Sequence, residues 1–459
     1  MKRRNFIQML AATGMTASLP LTANKAVAAA PDQFLVIVNA GGGWDPTSLC
    51  DPKGDLKQYE LERPGSNKDG SINSVALDPT KVASGIQWSD IPIIDGNEAS
   101  PGGATLRVRE QFDKFFPVYA DRLTVINGID NGTNNHSSGN RATWSGSLEM
   151  GYPSLAALFA ASKNPSLPMA YISNGGYDFT ASLVSRARAS SADFIDDLAD
   201  PNSAEHLYRS AKESGQDIDI YKTIKLAQKQ RLERQQAQAE LPLRRQQLNQ
   251  LFTVRQEDND LAKLSTEKDL IEAAMPVNDH LYSPVRNQVR GFKSQASLVA
   301  AAFKSGVAAS ANISTGGFDT HGNHDSGQYQ SLGDLLEGII YLQEALEVAG
   351  IANKTTVVIG SDFGRTPYYN SGNGKDHWPV TSMMVMHPSG SGKGGKVFGS
   401  STNKFRSQHL DLITGGVNND GQLLTPAHVN SALRKELGIA DNTLAVRFPL
   451  NVDNFDIFS

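Results

Sequence analysis

The sequence predicts an α/β fold in which a largely parallel β-sheet is covered by helices on both faces. Two observations carry this prediction. Short apolar runs recur along the chain, and most of them end abruptly in a polar, glycine-rich loop. Segments whose apolar residues follow a helical spacing separate these runs. One further segment, residues 221–274, differs in composition and predicts a helical insert in this fold.

The apolar runs are predicted to be the strands of the sheet. Runs of Val, Ile and Leu without polar alternation are typical of strands that are buried on both faces. Ligands of open parallel sheets bind beyond the carboxyl ends of the strands, so the loops at these ends are expected to converge on one site. The predicted strands cover residues 34–38, 122–126, 307–314, 355–359 and 382–386.

Residues 331–349 carry the clearest helical pattern, because their leucines recur on one stripe at helical spacing. Ser331 and Asp334 are predicted to form a capping box at the start of this helix. Gly350 is predicted to end it, since glycine accepts the left-handed backbone conformation that often follows a helix.

Residues 221–274 are rich in Gln, Arg, Lys and Glu and are interrupted at Pro242. This composition predicts a helical hairpin inserted into the α/β domain. Two interpretations stay open: an arm that binds a protein partner, or a solvated insert with one apolar stripe.

Residues 1–28 have the organisation of an export signal. A basic start is followed by a mildly apolar stretch and by the small residues Ala26-Val27-Ala28, which are typical of a cleavage site. The adjacent Arg3 and Arg4 favour the twin-arginine type over an ordinary secretory signal. The sequence therefore predicts a periplasmic protein whose residues 29–459 form a single domain.

Composition and charge exclude several classes of protein. A chain that is 39% hydrophobic is not disordered. Loss of residues 1–28 removes four basic residues and no acidic one, which changes the net charge from −5 to −9 and argues against nucleic acid or anionic membrane as a partner. No later apolar run reaches the roughly 18 residues of a membrane span. The single cysteine, Cys50, excludes an intramolecular disulfide framework and is predicted to be a core residue.

Clustered carboxylates and imidazoles in the polar loops indicate the chemistry. Carboxylates gathered at one edge of a sheet repel one another unless they are protonated or bridged by a cation. A mixture of Asp and His suits zinc, manganese or iron better than calcium alone. The histidines of these loops are His136, His321, His324 and His377, and the predicted ligands of a divalent metal are Asp45, Asp319, His321, His324, Asp362 and His377.

Three further residues are candidates for a catalytic role. Ser137 or Ser138 could supply a nucleophilic hydroxyl at the start of a helix, where backbone N–H groups attract an oxyanion. Arg365 could bind such an anion with two hydrogen bonds. Structural alternatives stay open: the serines and Asp45 as helix or turn caps, and Asp362 as a salt-bridge partner of Arg365.

The motifs together resemble the bacterial family called domain of unknown function 1501, which is itself similar to the alkaline phosphatase/sulfatase superfamily. The resemblance implies an alkaline-phosphatase-like three-layer sandwich with one or two divalent metals. It matches Asp45, Asp319, Asp362 and His377 to metal ligands, whereas Phe363 stands where the superfamily usually has a histidine. The motifs that carry it are the arginine pair, Gly-Gly-Trp-Asp at 42–45, Gly-Gly-Phe-Asp-Thr-His at 316–321, Ser-Asp-Phe-Gly-Arg-Thr at 361–366 and Asp-His at 376–377.

Two functions follow as hypotheses. The first is an exported metal-dependent hydrolase that acts on small anionic phosphate or sulfate esters. The second is a non-catalytic periplasmic protein, with or without a metal, that binds a ligand in the same crevice or a protein partner through residues 221–274.

Overall fold

The computed structural model describes residues 31–53, 80–89, 103–188, 219–241, 263–275 and 287–459, together with a few positions between 244 and 261. The predicted export signal, residues 1–28, lies outside the described residues. In the part of the chain that the structure describes, no helix combines the length and the apolar character that a membrane span requires.

Eight strands form one central sheet in the order β12-β4-β11-β8-β1-β7-β5-β6. β11 runs antiparallel to both of its neighbours, and the other neighbouring strands of this sheet are parallel. The predicted, largely parallel sheet is therefore confirmed. In chain order, the strands are β1 (Phe34–Ala40), β2 (Thr80–Ala83), β3 (Ile86–Ser89), β4 (Leu123–Asp130), β5 (Tyr171–Ser173), β6 (Arg186–Arg188), β7 (Ser310–Thr315), β8 (Thr355–Ser361), β9 (Gly364–Arg365), β10 (His377–Trp378), β11 (Val380–Met386), β12 (Lys396–Phe398), β13 (His409–Leu410) and β14 (Gln422–Leu423).

Helices cover both faces of the sheet. Alternate residues of β1 belong to different cores: Val36 and Val38 pack in the core with α1, α5, α6 and α7, whereas Leu35 and Ile37 pack in the core with α2, α3 and α8. This is the expected three-layer sandwich. The helices are α1 (Gly103–Tyr119), α2 (His136–Ser145), α3 (Leu155–Lys163), α4 (Asp219–Ala237), α5 (Lys263–Ala274), α6 (Asn287–Lys304), α7 (His324–Val348), α8 (Pro426–Glu436) and α9 (Thr443–Val446).

The five predicted strands are present as β1, β4, β7, β8 and β11, and one of them runs against the others. The sequence led us to expect every polar cluster at the carboxyl end of a strand, but His377 precedes β11. Because β11 is antiparallel to β4 and β8, its amino end lies at the edge where those strands have their carboxyl ends. The antiparallel direction thus brings His377 to the same edge.

The predicted start of the long helix is wrong. α7 begins at His324, about two turns before Ser331, so Ser331 and Asp334 lie inside the helix and form no capping box. Ser331 instead donates a hydrogen bond of 2.9 Å to the backbone carbonyl of Gly317. The early turns carry polar residues because they pack against the polar loops rather than the apolar core. Gly350, with φ of +70°, follows the end of the helix as predicted.

The two described helices of the predicted insert have different environments. α5 packs against α6 and α7 and buries Leu264 and Ile271 in the main core, so it belongs to one helical layer. From Leu226 onwards, the described side chains of α4 are mostly exposed, and its buried Leu232 forms a small separate cluster with Ala239 and Leu248. The connection between these helices lies largely outside the described residues, so the hairpin stays a prediction.

Cys50 is buried and carries a free thiol, with its Sγ 3.5 Å from the Sδ of Met384. Burial raises the pKa of this thiol well above its ordinary value. Its environment agrees with the predicted core role.

Candidate metal centre

The polar loops meet at one edge of the central sheet. They follow β1, β4, β7 and β8 and precede β11. Their close approach depends on glycine: Gly42 has φ of +122°, and a Cβ atom there would lie 2.6 Å from the backbone nitrogen of Asp319. The loop after β1 can therefore pass directly against the loop after β7.

Three histidines direct the same ring nitrogen, Nε2, towards Asp319. The Nε2 atoms of His321 and His377 lie 3.0 and 3.2 Å from Asp319 Oδ1, and that of His136 lies 3.5 Å from Oδ2. The Nε2 atoms of His321 and His377 are 2.9 Å apart. Imidazole nitrogens from three separate loops therefore lie close to one carboxylate, and these side chains are partly exposed to solvent.

The other ring nitrogen, Nδ1, of each histidine faces a hydrogen-bond acceptor. The Nδ1 of His136 lies 2.5 Å from Asp362 Oδ2, and the Nδ1 of His321 lies 2.8 Å from Asp376 Oδ1. The Nδ1 of His377 lies 2.8 Å from the backbone carbonyl of Asn134. A carbonyl and a carboxylate can only accept, so we assign the ring proton to Nδ1 in all three histidines. A neutral imidazole then carries a lone pair on Nε2.

Asp319 is held ionised by its neighbours. Burial alone would raise its pKa, but the hydrogen bond from Arg365 and the charge of Arg365 oppose this effect, and the pKa is lowered to about 2. Arg365 Nη2 donates to Asp319 Oδ1 at 2.6 Å. The carboxylate is thus available as an anionic ligand at any physiological pH.

The sequence led us to expect that Arg365 would bind an anionic ligand, but its guanidinium group does not face solvent. Its side chain is fully buried and donates hydrogen bonds to the backbone carbonyls of Gly42, Gly43 and Lys375, in addition to Asp319. Arg365 forms its ion pair with Asp319 and not with Asp362, which the sequence had offered as a salt-bridge partner. Arg365 therefore ties the loop after β1, the loop after β7 and the segment before β10 together.

Asp362 lies behind His136 rather than in the space between the Nε2 atoms. One carboxylate oxygen accepts from His136, and the other accepts from the backbone N–H of Gly42 at 3.1 Å and from the Ser361 hydroxyl at 2.9 Å. The buried ring of Phe363 packs against His136 and His377, with centroid distances of 4.8 and 4.4 Å. The residue that departs from the superfamily pattern therefore supports two of the imidazoles.

Asp45 and His324, both predicted ligands, lie in a different, fully buried pocket. Asp45 Oδ2 accepts from Lys375 Nζ at 2.6 Å and from His324 Nε2 at 3.0 Å. Asp45 Oδ1 accepts from the backbone and hydroxyl groups of Thr47, so Asp45 is also the N-cap of the short helix Pro46–Ser48. Burial would raise the pKa of Asp45, but the charge of Lys375 and the hydrogen bond from His324 hold it far below its usual range.

The two candidate nucleophiles lie in the first turn of α2, directly after His136. The backbone N–H groups of Ser137 and Ser138 donate to the side chain of Asn135, the N-cap residue, which takes the place of the expected oxyanion. The Ser138 hydroxyl is 2.8 Å from that of Thr133. Neither serine is the cap of α2, because Asn135 takes that position. The Ser138 hydroxyl is engaged by its neighbours, whereas Ser137 has an exposed side chain.

Sequence reasoning underestimated three parts of this site. His136 was recognised as a loop histidine but was not among the predicted ligands, because the following serines directed attention to a nucleophile in this loop. The Asn134 carbonyl is a backbone group that no side-chain motif reveals. Lys375 directly precedes the Asp-His motif, and a lysine beside such a motif could have indicated a buried ion pair.

A family model described as "Protein of unknown function (DUF1501)" matches residues 32–411. The chain belongs to this family. The match confirms the resemblance inferred from the loop motifs and includes every candidate ligand. Among curated proteins, none matches this chain.

Several solved structures are similar to this chain at low sequence identity. The lipoteichoic acid synthase LtaP from Listeria monocytogenes is 9% identical over 94% of this chain and 76% of its own, with a TM-score of 0.35. A 2-O GAG sulfatase is 11% identical over 91% of this chain and 72% of its own, with a TM-score of 0.32. With TM-scores of this size, the chemistry has to be inferred from the site itself.

Proposed function

We propose that this protein binds one divalent cation through His136, Asp319, His321 and His377, and that the loaded protein hydrolyses small phosphate or sulfate esters in the periplasm. Zinc, manganese and iron are the cations that a set of three imidazoles and one carboxylate favours. Within the cluster, the ligand atoms of His136, Asp319 and His377 all lie within 4.8 Å of one another.

The observation that best supports a cation site is that the Nε2 lone pairs of three imidazoles face one carboxylate. Because each Nδ1 hydrogen is directed at an acceptor, the Nε2 atoms of His321 and His377 meet at 2.9 Å without a hydrogen between neutral rings. One extra proton between His321 and His377 could turn their contact into a hydrogen bond. The lone pair of His136 Nε2 would still face the negatively charged Asp319 carboxylate. A single cation satisfies all four groups together.

The spacing of the ligand atoms supports one shared ion. Two ligands at ~2.1 Å from a tetrahedral cation lie roughly 3.4 Å apart. The Nε2 atoms of His321 and His377 and Oδ1 of Asp319 lie 2.9 to 3.2 Å from one another, and His136 Nε2 lies 3.5 Å from the other oxygen of Asp319. Carboxylate or carbonyl partners on the far nitrogen of ligating histidines are also the usual second layer of a metal site.

The charge of the site bears on its substrate. Three carboxylates, of Asp319, Asp362 and Asp376, are near a single guanidinium, that of Arg365. This excess of negative charge would repel an anionic ester. A bound divalent cation would neutralise it, polarise a phosphoryl or sulfuryl oxygen and favour deprotonation of a nearby hydroxyl.

The hydroxyl of Ser137 is the proposed nucleophile. Ser137 directly follows His136 and has an exposed side chain. The Ser138 hydroxyl, in contrast, forms hydrogen bonds with the Thr133 hydroxyl and the Asn135 carbonyl. Arg365, buried and bonded to three carbonyls, would hold the Asp319 carboxylate in place rather than contact the substrate.

Metal analysis of the full-length protein purified without chelator tests the proposal. We expect about one equivalent of zinc, manganese or iron in the wild-type protein, and loss of it in His136→Ala and His377→Ala. His409→Ala is the matched control, because His409 is exposed and belongs to β13 rather than to one of these loops. Ser137→Ala should keep the cation and lose turnover of aryl phosphate or sulfate esters.

The outcomes separate the two parts of the proposal. A wild-type chain that holds no divalent cation, even after incubation with zinc or manganese, contradicts the metal centre. A loaded chain that turns over no ester contradicts the hydrolase and supports the binding protein. Turnover that survives Ser137→Ala removes only this residue from its role.

A further inference from the structure

Behind the metal centre, Asp45, His324 and Lys375 form a second cluster of charged and imidazole groups. Each of the three residues is at most 4% exposed. Lys375 Nζ and His324 Nε2 contact the same carboxylate oxygen, Oδ2 of Asp45, at 2.6 and 3.0 Å. The three residues come from the loop after β1, the first turn of α7 and the segment before β10.

We infer that this cluster is a latent divalent-cation site whose place is taken by the ammonium group of Lys375. Asp45 places a carboxylate oxygen, and His324 an imidazole nitrogen, beside each other. Carboxylate and imidazole are ligands found together at zinc, manganese and iron sites. The lysine supplies the positive charge that the buried carboxylate requires. Removal of the lysine side chain should therefore turn the pocket into a metal site.

The carboxylate is oriented as a ligand would be. Asp45 Oδ1 is occupied by the backbone N–H and the hydroxyl of Thr47, at 3.0 and 2.7 Å. These bonds fix the side chain and leave Oδ2 directed at Lys375 and His324. Shortening Lys375 would leave Oδ2 with only the imidazole and, at longer range, the Ser48 hydroxyl at 3.4 Å.

The imidazole can change from hydrogen-bond donor to ligand without moving. With Lys375 present, His324 Nε2 carries the hydrogen that Asp45 accepts. Its Nδ1 lies 2.6 Å from the Thr320 hydroxyl, which is also 3.2 Å from the Gln328 carbonyl oxygen. Because a hydroxyl can donate or accept, Thr320 permits the other tautomer, with the hydrogen on Nδ1 and a lone pair on Nε2.

A second buried lysine provides the matched control. Lys53 Nζ lies 2.8 Å from Asp51 Oδ1 and 2.6 Å from the Ser401 hydroxyl. This pair is also buried, and Lys53 Nζ bonds Asp51 and Ser401 rather than sharing a carboxylate with a histidine. Truncation of Lys53 therefore leaves a carboxylate without an imidazole beside it.

The test measures cation binding and thermal stability, not turnover. All variants carry His136→Ala, which weakens the proposed metal centre and makes the experiment independent of it. In the presence of zinc or manganese, adding Lys375→Ala should yield one more bound equivalent and a melting temperature that rises with cation concentration. Adding Asp45→Asn to that variant should abolish both effects, and Lys53→Ala in place of Lys375→Ala should produce neither.

Other results overturn the inference. They are an unchanged cation content and melting temperature in the Lys375→Ala protein, a gain that survives Asp45→Asn, or an equal gain in the Lys53→Ala protein. A Lys375→Ala protein that stays unfolded at every cation concentration, while the Lys53→Ala protein folds, also counts against it. Metal content of the wild-type chain decides the proposed function separately.

Discussion

At the proposed metal centre, the partner of each Nδ1 atom determines what the Nε2 atom of the same ring can do. Asp376 illustrates this at a single residue. It accepts from His321 Nδ1 at 2.8 Å and from the Asn370 amide at 3.1 Å, and the hydrogen bond from His321 lowers its pKa. Asp376 therefore fixes the ring orientation and the tautomer of His321, without itself lying among the four proposed ligands.

Asp376→Asn should weaken cation affinity roughly 10–100-fold. The amide keeps a similar shape, but it loses the negative charge that makes the imidazole a better ligand, and its NH₂ group can turn towards Nδ1. Chelator competition on the purified protein measures the affinity.

Asp411→Asn serves as the control, because the Asp411 carboxylate caps its own turn by accepting hydrogen bonds from the backbone and the hydroxyl of Thr414. The melting temperature of the cation-free protein should be nearly the same in both variants. Equal cation affinities in the wild type and Asp376→Asn would refute the positioning role.

The sequence identified the residues of the site better than their roles. Asp319, His321 and His377 were predicted as ligands from their loops, and the structure brings them together. Asp362 and Arg365 were also found, but they lie behind the ligand atoms. A motif shows that a carboxylate is near a site, whereas which oxygen faces which neighbour depends on contacts between loops that are hundreds of residues apart.

At the scale of elements, buried apolar runs predicted the strands of the central sheet, but not their directions. Nothing in the composition of β11 distinguishes it from its parallel neighbours, because a strand buried on both faces is apolar whichever way it runs. The start of α7 was missed for a related reason. Its first two turns are polar on the side that meets the polar loops, so the apolar stripe begins later than the helix.

The junction between β11, β4 and α8 predicts a dependence of stability on pH. His387, just after β11, is buried, with its Nε2 2.8 Å from the Thr124 hydroxyl of β4 and its Nδ1 3.8 Å from Glu436 of α8. Burial and the nearby positive charges of Lys393, Lys396 and Arg122 lower its pKa to about 4.

Stability should fall as the pH decreases from about 6.5 towards 4. The unfolded chain takes up a proton on His387 near its ordinary pKa of about 6.5, whereas the folded chain resists it until about pH 4. Protonation therefore favours the unfolded state throughout this window, by roughly 2 kcal/mol at about pH 5. Urea unfolding at about pH 7.5 and about pH 5 measures the change.

His387→Gln should remove about that part of the pH dependence. His409→Gln, at an exposed position, should leave the dependence as in the wild type. The same loss of stability on acidification in wild type and His387→Gln would show that this junction does not titrate as described.

On the scale of the whole molecule, the proposed metal centre takes its ligands from the loops after β4 and β7 and from the segment before β11, which are far apart along the chain. Such a site forms only when the central sheet is complete, so a cation would be bound by the folded protein. Export in the folded state is the property that the arginine pair of residues 1–28 suggests, and we propose it for this protein. The two proposals then support one another, because a folded chain could acquire its cation before it leaves the cytoplasm.

Replacement of Arg3 and Arg4 by lysine tests this route. Lysine keeps the positive charge of the segment but lacks the planar guanidinium group, so a general effect of charge is excluded. We expect the unprocessed chain to accumulate in the cytoplasm of Arg3→Lys/Arg4→Lys cells, as measured by cell fractionation. Lys25→Gln, which removes a basic residue of the same segment outside the pair, should be exported normally. Normal export of the double lysine variant would instead indicate an ordinary secretory signal, and the protein would then fold and acquire any cation in the periplasm.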